Sequence, residues 1–431
     1  MSESQDHDQR TGSAYPPSIQ AGIPKLGPKP EGWHRVPLGE LLRVVERPAK
    51  LVDSTIYQLV TAKRGRGGIV ARERLLGSQI LTKTQFFVDA GDFVISNRQI
   101  SHGACGLVPA TLKGAIVSNE YTVLHASHLL DQKYLGYLSH STYFQQTCFH
   151  SSIGVHVEKL VFRLGDWFKW QFDLPSIAEQ RRIVTVLDTW GHAIANVERL
   201  INAKRRRKTG VIGHLLFDTT AKRGFISDLA VVNPRGPAIA PESHVSFVGM
   251  DDVSEHGKLA RTHERRRGDI GAGYTAFVDG DILVAKITPC FENGKGALAH
   301  GLANGVGFGS TEFHVVRPFD PADAAYLHQI TLTGSFRTAG ERQMTGSAGQ
   351  RRIPAEFIED FPIFVLGENA RRAAGALLSR LDAELESHEA ALTKLRTQKR
   401  ALMQKLLTGE WRLDERFDPA ALRLGLGEEA A

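Results

Sequence analysis

The chain holds only three cysteines in 431 residues, Cys105, Cys148 and Cys290. They lie far apart and form no C-x-x-C pair, which argues against a disulfide framework or a cysteine zinc site and fits a reducing cytoplasm. No run of about 18 apolar residues occurs, so no membrane span is expected. The opening Met1-Ser2-Glu3-Ser4-Gln5-Asp6-His7-Asp8 lacks the basic start and apolar stretch of a secretory signal. The 17 histidines are dispersed. His125 and His128 are close but have no second cluster at zinc spacing, so no metal is expected. Enzyme signatures are also missing. Asn233-Pro234-Arg235-Gly236 keeps two residues of the Asn/Asp-Pro-Pro-aromatic corner that holds a target amine, with no glycine-rich cofactor loop before it. Asp281 with Glu292-Asn293-Gly294-Lys295 misses the Glu-x-Lys spacing of a metal-dependent nuclease by one residue. The chain is therefore read as non-catalytic and without cofactor.

What remains is an ordinary soluble composition, 42% hydrophobic and 23% charged, long enough for two to four domains. A net charge of +6 modestly favours a polyanionic partner.

The chain repeats itself. Gly91-Asp92-Phe93-Val94-Ile95-Ser96 is echoed by Gly280-Asp281-Ile282-Leu283-Val284-Ala285, and Ser118-Asn119-Glu120-Tyr121-Thr122-Val123 by Ser310-Thr311-Glu312-Phe313-His314-Val315. Each reads as a turn entering a β-branched or aromatic strand. Two stretches also show a/d spacing. Ile183, Leu187, Trp190, Ile194, Val197 and Ile201 are followed by Val211 and Leu215. From Leu378 the second frame runs through Leu381, Leu385, His388, Leu392, Leu395, Lys399, Leu402 and Leu406. They superimpose at an offset of 191, with Leu187 on Leu378, Ile194 on Leu385, Ile201 on Leu392 and Leu215 on Leu406.

The expected fold is α/β (α+β), with two mixed domains alternating with two long helices that pair as an antiparallel coiled coil, a pseudo-twofold repeat. Residues 1–30, rich in proline, are expected to be a disordered tail. Mixed domains are expected at 31–175 and 224–365, long helices at 176–218 and 368–408, and a tail at 409–431. Coiled-coil contacts are assigned to Leu187, Ile194, Ile201, Leu378, Leu385 and Leu392. A helix of about 33 residues is about 50 Å long, more than one duplex turn of about 34 Å.

Basic residues in glycine-rich stretches are the candidate DNA contacts. Lys63, Arg64 and Arg66 lie in Lys63-Arg64-Gly65-Arg66-Gly67-Gly68, which lacks the P-loop pattern. Arginine in such a loop can read guanine in the major groove. Arg261, Arg265, Arg266 and Arg267 occupy a similar part of the second half. Arg98 and His102 follow the first Gly-Asp strand, Lys286 and Lys295 the second, and Arg342, Arg351 and Arg352 lie near Gly346 and Gly349. Each has the alternative of a plain exposed loop. The run Lys204-Arg205-Arg206-Arg207-Lys208 is open between phosphate or partner contact and a solvated helix face. Glu120 and Glu312 are read as residues that order a loop by accepting backbone or arginine bonds. Trp33, Trp167 and Trp170 are read as core or junction aromatics.

Several motifs resemble one family. Leu174-Pro175-Ser176-Ile177-Ala178-Glu179-Gln180-Arg181-Arg182-Ile183 closes a domain and opens a heptad helix, as in type I restriction-modification specificity subunits. Lys399-Arg400-Ala401-Leu402-Met403-Gln404-Lys405-Leu406-Leu407-Thr408-Gly409 is similar to the end of such chains, and Gly280-Asp281-Ile282-Leu283, Lys286-Ile287-Thr288-Pro289 and Gly309-Ser310-Thr311-Glu312-Phe313 also resemble them. The likeness covers about residues 33–412. It implies that each mixed domain is a target-recognition domain for half of a split double-stranded DNA sequence. It also implies that the helices space the half-sites and dock two methyltransferase subunits, which a restriction/translocase subunit joins. One departure stands out. Opposite Leu174-Pro175 and Glu179-Gln180 lie Val365-Leu366 and Ala370-Arg371, so the second junction motif reads as decayed and its dock as weaker or differently built. The alternatives are a coiled-coil adaptor without DNA readout and a fused nuclease or methyltransferase. A stand-alone repressor would need a helix-turn-helix signature, and none is evident.

Overall fold

The computed structural model describes residues 19, 20, 22–154, 160–216, 221–347 and 349–419. Residues 1–18 and 21 of the expected tail, 217–218 of the expected first helix and 420–431 of the C-terminal tail lie outside them. The chain divides into two compact units, Met1–Asn196 with Thr393–Ala431 and Val197–Leu392. The division crosses both long helices, Ile177–Leu216 and Glu368–Leu407, so each unit owns half of each helix.

The two units share one sheet plan. In the first unit a four-stranded antiparallel sheet runs in the order Leu42–Val44, Tyr121–Ala126, Phe93–Ser96, Cys105–Leu107. In the second the order is Ala230–Val232, Phe313–Pro318, Ile282–Ala285, Gly296–Leu298. Beside each lies a second sheet with one parallel contact, Leu59 with Ile116 in the first unit and Phe247 with Phe308 in the second. The echoed segments noted in the sequence are these central strands.

Both Gly-Asp strands are buried along their whole length, which explains their unbroken apolar runs. Phe93 and Ile95 face a core of Phe144, Trp167 and Phe172, while Val94 faces a separate core between the sheets. Ile282 and Val284 against Leu283 repeat that partition. The turn before each strand is also repeated. Gly91 and Gly280 take φ of +84° and +90°, a region that favours glycine. Asp89 N and Val278 N each donate 2.7 Å to the carboxylate of Asp92 or Asp281. Each carboxylate is buried and carries a two-pronged arginine, Arg47 on Asp92 and Arg317 on Asp281.

The heptad frame supplies the helices' inner faces. Within the first unit Ile183, Val184 and Leu187 share a core with Met403, Leu406 and Leu407. Within the second, Leu216 shares one with Ala374 and Leu378. Ile201 and Leu385 are also buried, whereas Ile194 and Leu392 are half-buried. Lys204 and Lys208 stand in the same frame. They are mostly covered and pair with Glu384 and Asp382, while Arg205 pairs with Glu389. Contacts that fall along one helix as they rise along the other make these segments antiparallel. The covered lysines serve the helix pair.

The described part of the N-terminal stretch is bonded to the first unit. Gln146 Nε2 donates to Gln20 Oε1, and Arg35 Nη2 to Gly27 O.

The junction motif also works inside the chain. Gln180 is fully buried; its Nε2 donates to Leu129 O and Pro175 O at 3.0 Å each, and its Oε1 accepts from Asp131 N at 2.8 Å. Buried Glu179 holds Arg412, and Arg182 donates to Leu413 O, which secures the residues after the second helix. At the second junction Arg371 occupies the place of Gln180. Its Nη1 donates to Leu366 O at 2.7 Å, the carbonyl equivalent to Pro175, and its Nε and Nη2 grip Asp323 at 2.8 Å. The second junction is rebuilt rather than decayed. An amide to backbone groups has become a guanidinium to a carbonyl and a carboxylate.

Removing one partner of a buried pair strands the other. Asp323 is 2% exposed, so Arg371→Ala should lower the unfolding free energy of this unit by about 3 kcal/mol in a urea titration. Arg371→Lys should recover only part of the loss, because an ammonium cannot match the fork. Arg372→Ala, at exposed pairs with Asp320 and Glu368, should cost under about 1 kcal/mol.

Candidate nucleic-acid interface

In the first unit the hairpin between Ile56–Ala62 and Ile69–Leu76 carries the tip Lys63–Gly68. The tip is tied to the turn after the Gly-Asp strand. Gly65 N donates to His102 O at 2.7 Å and Arg66 N to Gly103 O at 3.1 Å. A Cβ on Gly103 would lie 3.0 Å from Arg66 N, so the close approach needs glycine. Arg64 Nε donates to Gln99 Oε1 at 2.7 Å. Lys63, Arg64, Arg66, Arg98 and His102 are thereby brought together. Lys63, Arg64 and Arg98 are exposed, but Arg66 is 6% exposed, with φ +62°. The expectation of an outward-reaching loop is therefore corrected at Arg66, whose side chain is packed inside the tip.

The second unit assembles the same place from other residues. The matching hairpin loop is 249–262, between His244–Val248 and His263–Arg266. It meets the turn after Ile282–Ala285. Gly296 N donates to Ser254 O, Lys295 Nζ to Met250 O at 3.1 Å, and Asn293 Nδ2 to Glu255 Oε1 at 3.0 Å. A third segment joins through Thr288 N to Arg351 O and Ile353 N to Lys286 O. This places Lys286, Lys295, Arg351 and Arg352 together. Arg342 is exposed in the last turn of Gly334–Gln343, two residues before Met344, whose Sδ accepts from Thr288 Oγ1.

Arg261 lies at the foot of the hairpin loop, 3.4 Å from Asp252. Arg265 and Arg266 pair with Val245 and His244, at the end of the hairpin remote from its loop. Arg265 stacks 4.2 Å over Phe247, and Arg267 stacks 4.5 Å over Phe308. These three are therefore not counterparts of Lys63–Gly68. Position along the sequence hid this, because the second hairpin loop is much longer than the first.

The electrostatics of the two places differ. Around the first tip Arg98 pairs with Glu120. In the second unit Lys295 meets Asp251, Arg351 meets Glu292, and Arg352 takes both oxygens of Glu312. The Arg352 guanidinium holds the Glu312 carboxyl below the usual carboxylate range.

Two supporting residues gave no sequence signal. Arg337 is buried, donates 3.2 Å to Phe291 O and Gly294 O, and lies over the Phe291 ring, which shapes the turn carrying Lys295. Burial pushes it down to about 10. His328 is buried beneath the long hairpin loop; a Cβ on Gly257 would lie 2.8 Å from its Nε2. A lone arginine and a lone histidine on helices look like any others in one sequence. Among the described residues no group of three His, Cys, Asp or Glu could hold a metal, and no helix is long and apolar enough to cross a membrane.

Burial holds His328 down at about 4, against an ordinary value of about 6.5. The folded state keeps the ring neutral while the unfolded state accepts the proton. Its contribution is therefore present above pH about 6.5 and is lost as pH falls toward 4. His328→Gln should flatten the fall of stability over that window, read as a loss of up to about 1.4 kcal/mol per pH unit from the slope in denaturant titrations. An unchanged slope would show that the ring is protonated in the folded state.

No family model matches the chain. A stretch of 142 residues, 32% of the chain, is 44% identical to the type I restriction enzyme EcoAI specificity subunit of Escherichia coli, and 140 residues are 42% identical to the EcoEI specificity subunit of the same organism. Those alignments cover about a quarter, 24%, of each relative's length. Among solved structures, the type I restriction-modification S subunit from M. genitalium aligns with 90% of this chain and 98% of its own at a TM-score of 0.56 and 12% identity. A chain from a study of assembly and conformational transition in the type I R-M system aligns with 90% of this chain and all of its own at a TM-score of 0.51 and 17% identity.

Proposed function

We propose that this chain, which has the fold of type I restriction-modification specificity subunits over nine-tenths of its length and is 42% to 44% identical to two of them over a third, reads a bipartite double-stranded DNA target and performs no chemistry itself. Each unit is a target-recognition module for one half-site. Lys63, Arg64, Arg98 and His102 meet DNA in the first. Arg261, Lys286, Lys295, Arg342, Arg351 and Arg352 meet it in the second, and Arg265–Arg267 meet flanking backbone from their sheet face. Phosphate contacts set position and base contacts set sequence. The long helices dock two methyltransferase subunits, a restriction/translocase subunit completes the assembly, and the complex acts in the cytoplasm.

One observation carries the reading. In both units a hairpin loop and the turn after a doubly buried strand converge, and both places gather cations. The exposed ion pairs there hold little stability, so engaging DNA at these places costs the fold little.

Co-expression with a type I methyltransferase subunit, followed by sequencing of methylated adenines, tests it. One split motif with a fixed gap should appear and vanish when this chain is deleted. Replacing residues 31–175 by those of a relative should change one half of the motif alone. A complex that forms without any motif would favour the adaptor reading.

A further inference from the structure

In both units a glutamate stands on the same backbone frame with an arginine bonded to it, yet the arginines come from different segments. Glu120 N donates to Ser118 Oγ and Glu312 N to Ser310 Oγ. Glu120 O accepts from Asn97 N and Glu312 O from Lys286 N, each at 2.9 Å. Arg98 reaches Glu120, Nε to Oε1 at 2.9 Å. Arg352 reaches Glu312 through Nε at 2.9 Å and Nη2 at 2.8 Å. Because Asn97 matches Lys286, Ile287 stands where Arg98 does. Phe162 N donates to Asn97 O and Ile353 N to Lys286 O, so Val161 stands where Arg352 does. Each unit therefore has one arginine and one aliphatic residue at these two positions, and the two have traded places. Ancestry would preserve the residue. What persists is the ion pair at one point of the frame.

Stability does not explain this. The side chains are 69% and 52% exposed in the first pair and 42% and 24% in the second, and exposed pairs contribute little. A carboxylate on the Nε side of a guanidinium fixes the fork and leaves hydrogens on the terminal nitrogens. Arg352 gives one from Nη1 to Gln350 O at 3.2 Å and keeps one on each terminal nitrogen. Such a fork matches O6 and N7 of guanine in the major groove. A neighbouring carboxylate repels a phosphate but not the edge of a neutral base.

We propose that Arg98 and Arg352 each read a guanine, one in each half-site, with Glu120 and Glu312 as their positioning residues. The inference rests on the DNA-reading function above. The full chain is incubated with a random duplex library, bound DNA is sequenced, and affinity is followed against salt. The selected motif should hold a G·C pair in each half. Arg352→Ala should lose about 10- to 100-fold discrimination at one G·C pair of one half, with the other half and the salt slope unchanged. Arg98→Ala should do the same in the other half. Arg352→Lys should not restore the preference, and Glu312→Gln should weaken it while overall binding persists. A duplex with 7-deazaguanine at that pair should bind the unaltered chain more weakly, which needs no assumption about how variants fold, and should leave Arg352→Ala indifferent. A motif without guanine in one half overturns the proposal. So does an Arg352→Ala variant that binds all sequences equally less, with the slope of log K against log salt reduced by about 0.9, since that marks a phosphate contact. Absence of any selected motif would sink the DNA-reading function as well, which separates the two failures.

Discussion

Each unit is organised by a strand that has no solvent face. Phe93 and Ile95 are committed to one core and Val94 to another, and Ile282, Val284 and Leu283 repeat the commitment. A one-residue slip would move every side chain to the wrong core, so register is strongly fixed. Asp92 and Asp281 fix where the strand begins by tying back to Asp89 N and Val278 N and by pairing with an arginine. With the start and the register of this strand determined, the turn that follows emerges at a defined point, and that turn is half of each candidate interface.

Around this constraint the repeat has preserved backbone positions and let side chains change. Gln180 and Arg371 bond to carbonyls at equivalent places through different chemistry. Arg317 stands on Asp281 from the central strand, while the first unit draws Arg47 onto Asp92 from another segment and has His125 at the matching strand position. A backbone carbonyl or a fixed carboxylate demands a donor at one point in space and is indifferent to which segment supplies it. Pairwise comparison of the halves therefore finds the strands and misses the bonds between them.

That indifference sets what the sequence could reveal. The mixed fold with two long helices was legible because burial imposes periodicity: the run through Phe93–Ser96 and the frame through Leu187 and Leu378 are forced by which faces are dry. The turn glycines were legible because positive φ leaves few alternatives. The interface was legible only as composition. That Lys63–Gly68 meets Ile100–Gly103 depends on backbone bonds between distant residues, and nothing in Arg66 announces that it points inward. Arg265–Arg267 looked equivalent to the first loop because loop length, unlike strand burial, is weakly constrained. The second junction looked decayed because its partner, Asp323, lies far from Arg371 in the chain.

The way the interface is held explains how it can be both rigid and changeable. Its loops are joined by main-chain bonds, such as Arg66 N to Gly103 O and Ile353 N to Lys286 O, and those of the second unit are also supported from below by Arg337 and His328. None of these contacts involves the side chains of Lys63, Arg98, Lys286 or Arg351. Substituting an outward residue therefore leaves the loop's path intact, because the energy that holds the path is spent elsewhere. A surface that must present a fixed geometry and still accept new side chains needs this separation. Residues whose side chains contribute to both tasks, as Lys295 does by donating from Nζ to Met250 O across the two loops, are the ones whose replacement should disturb specificity and local order together.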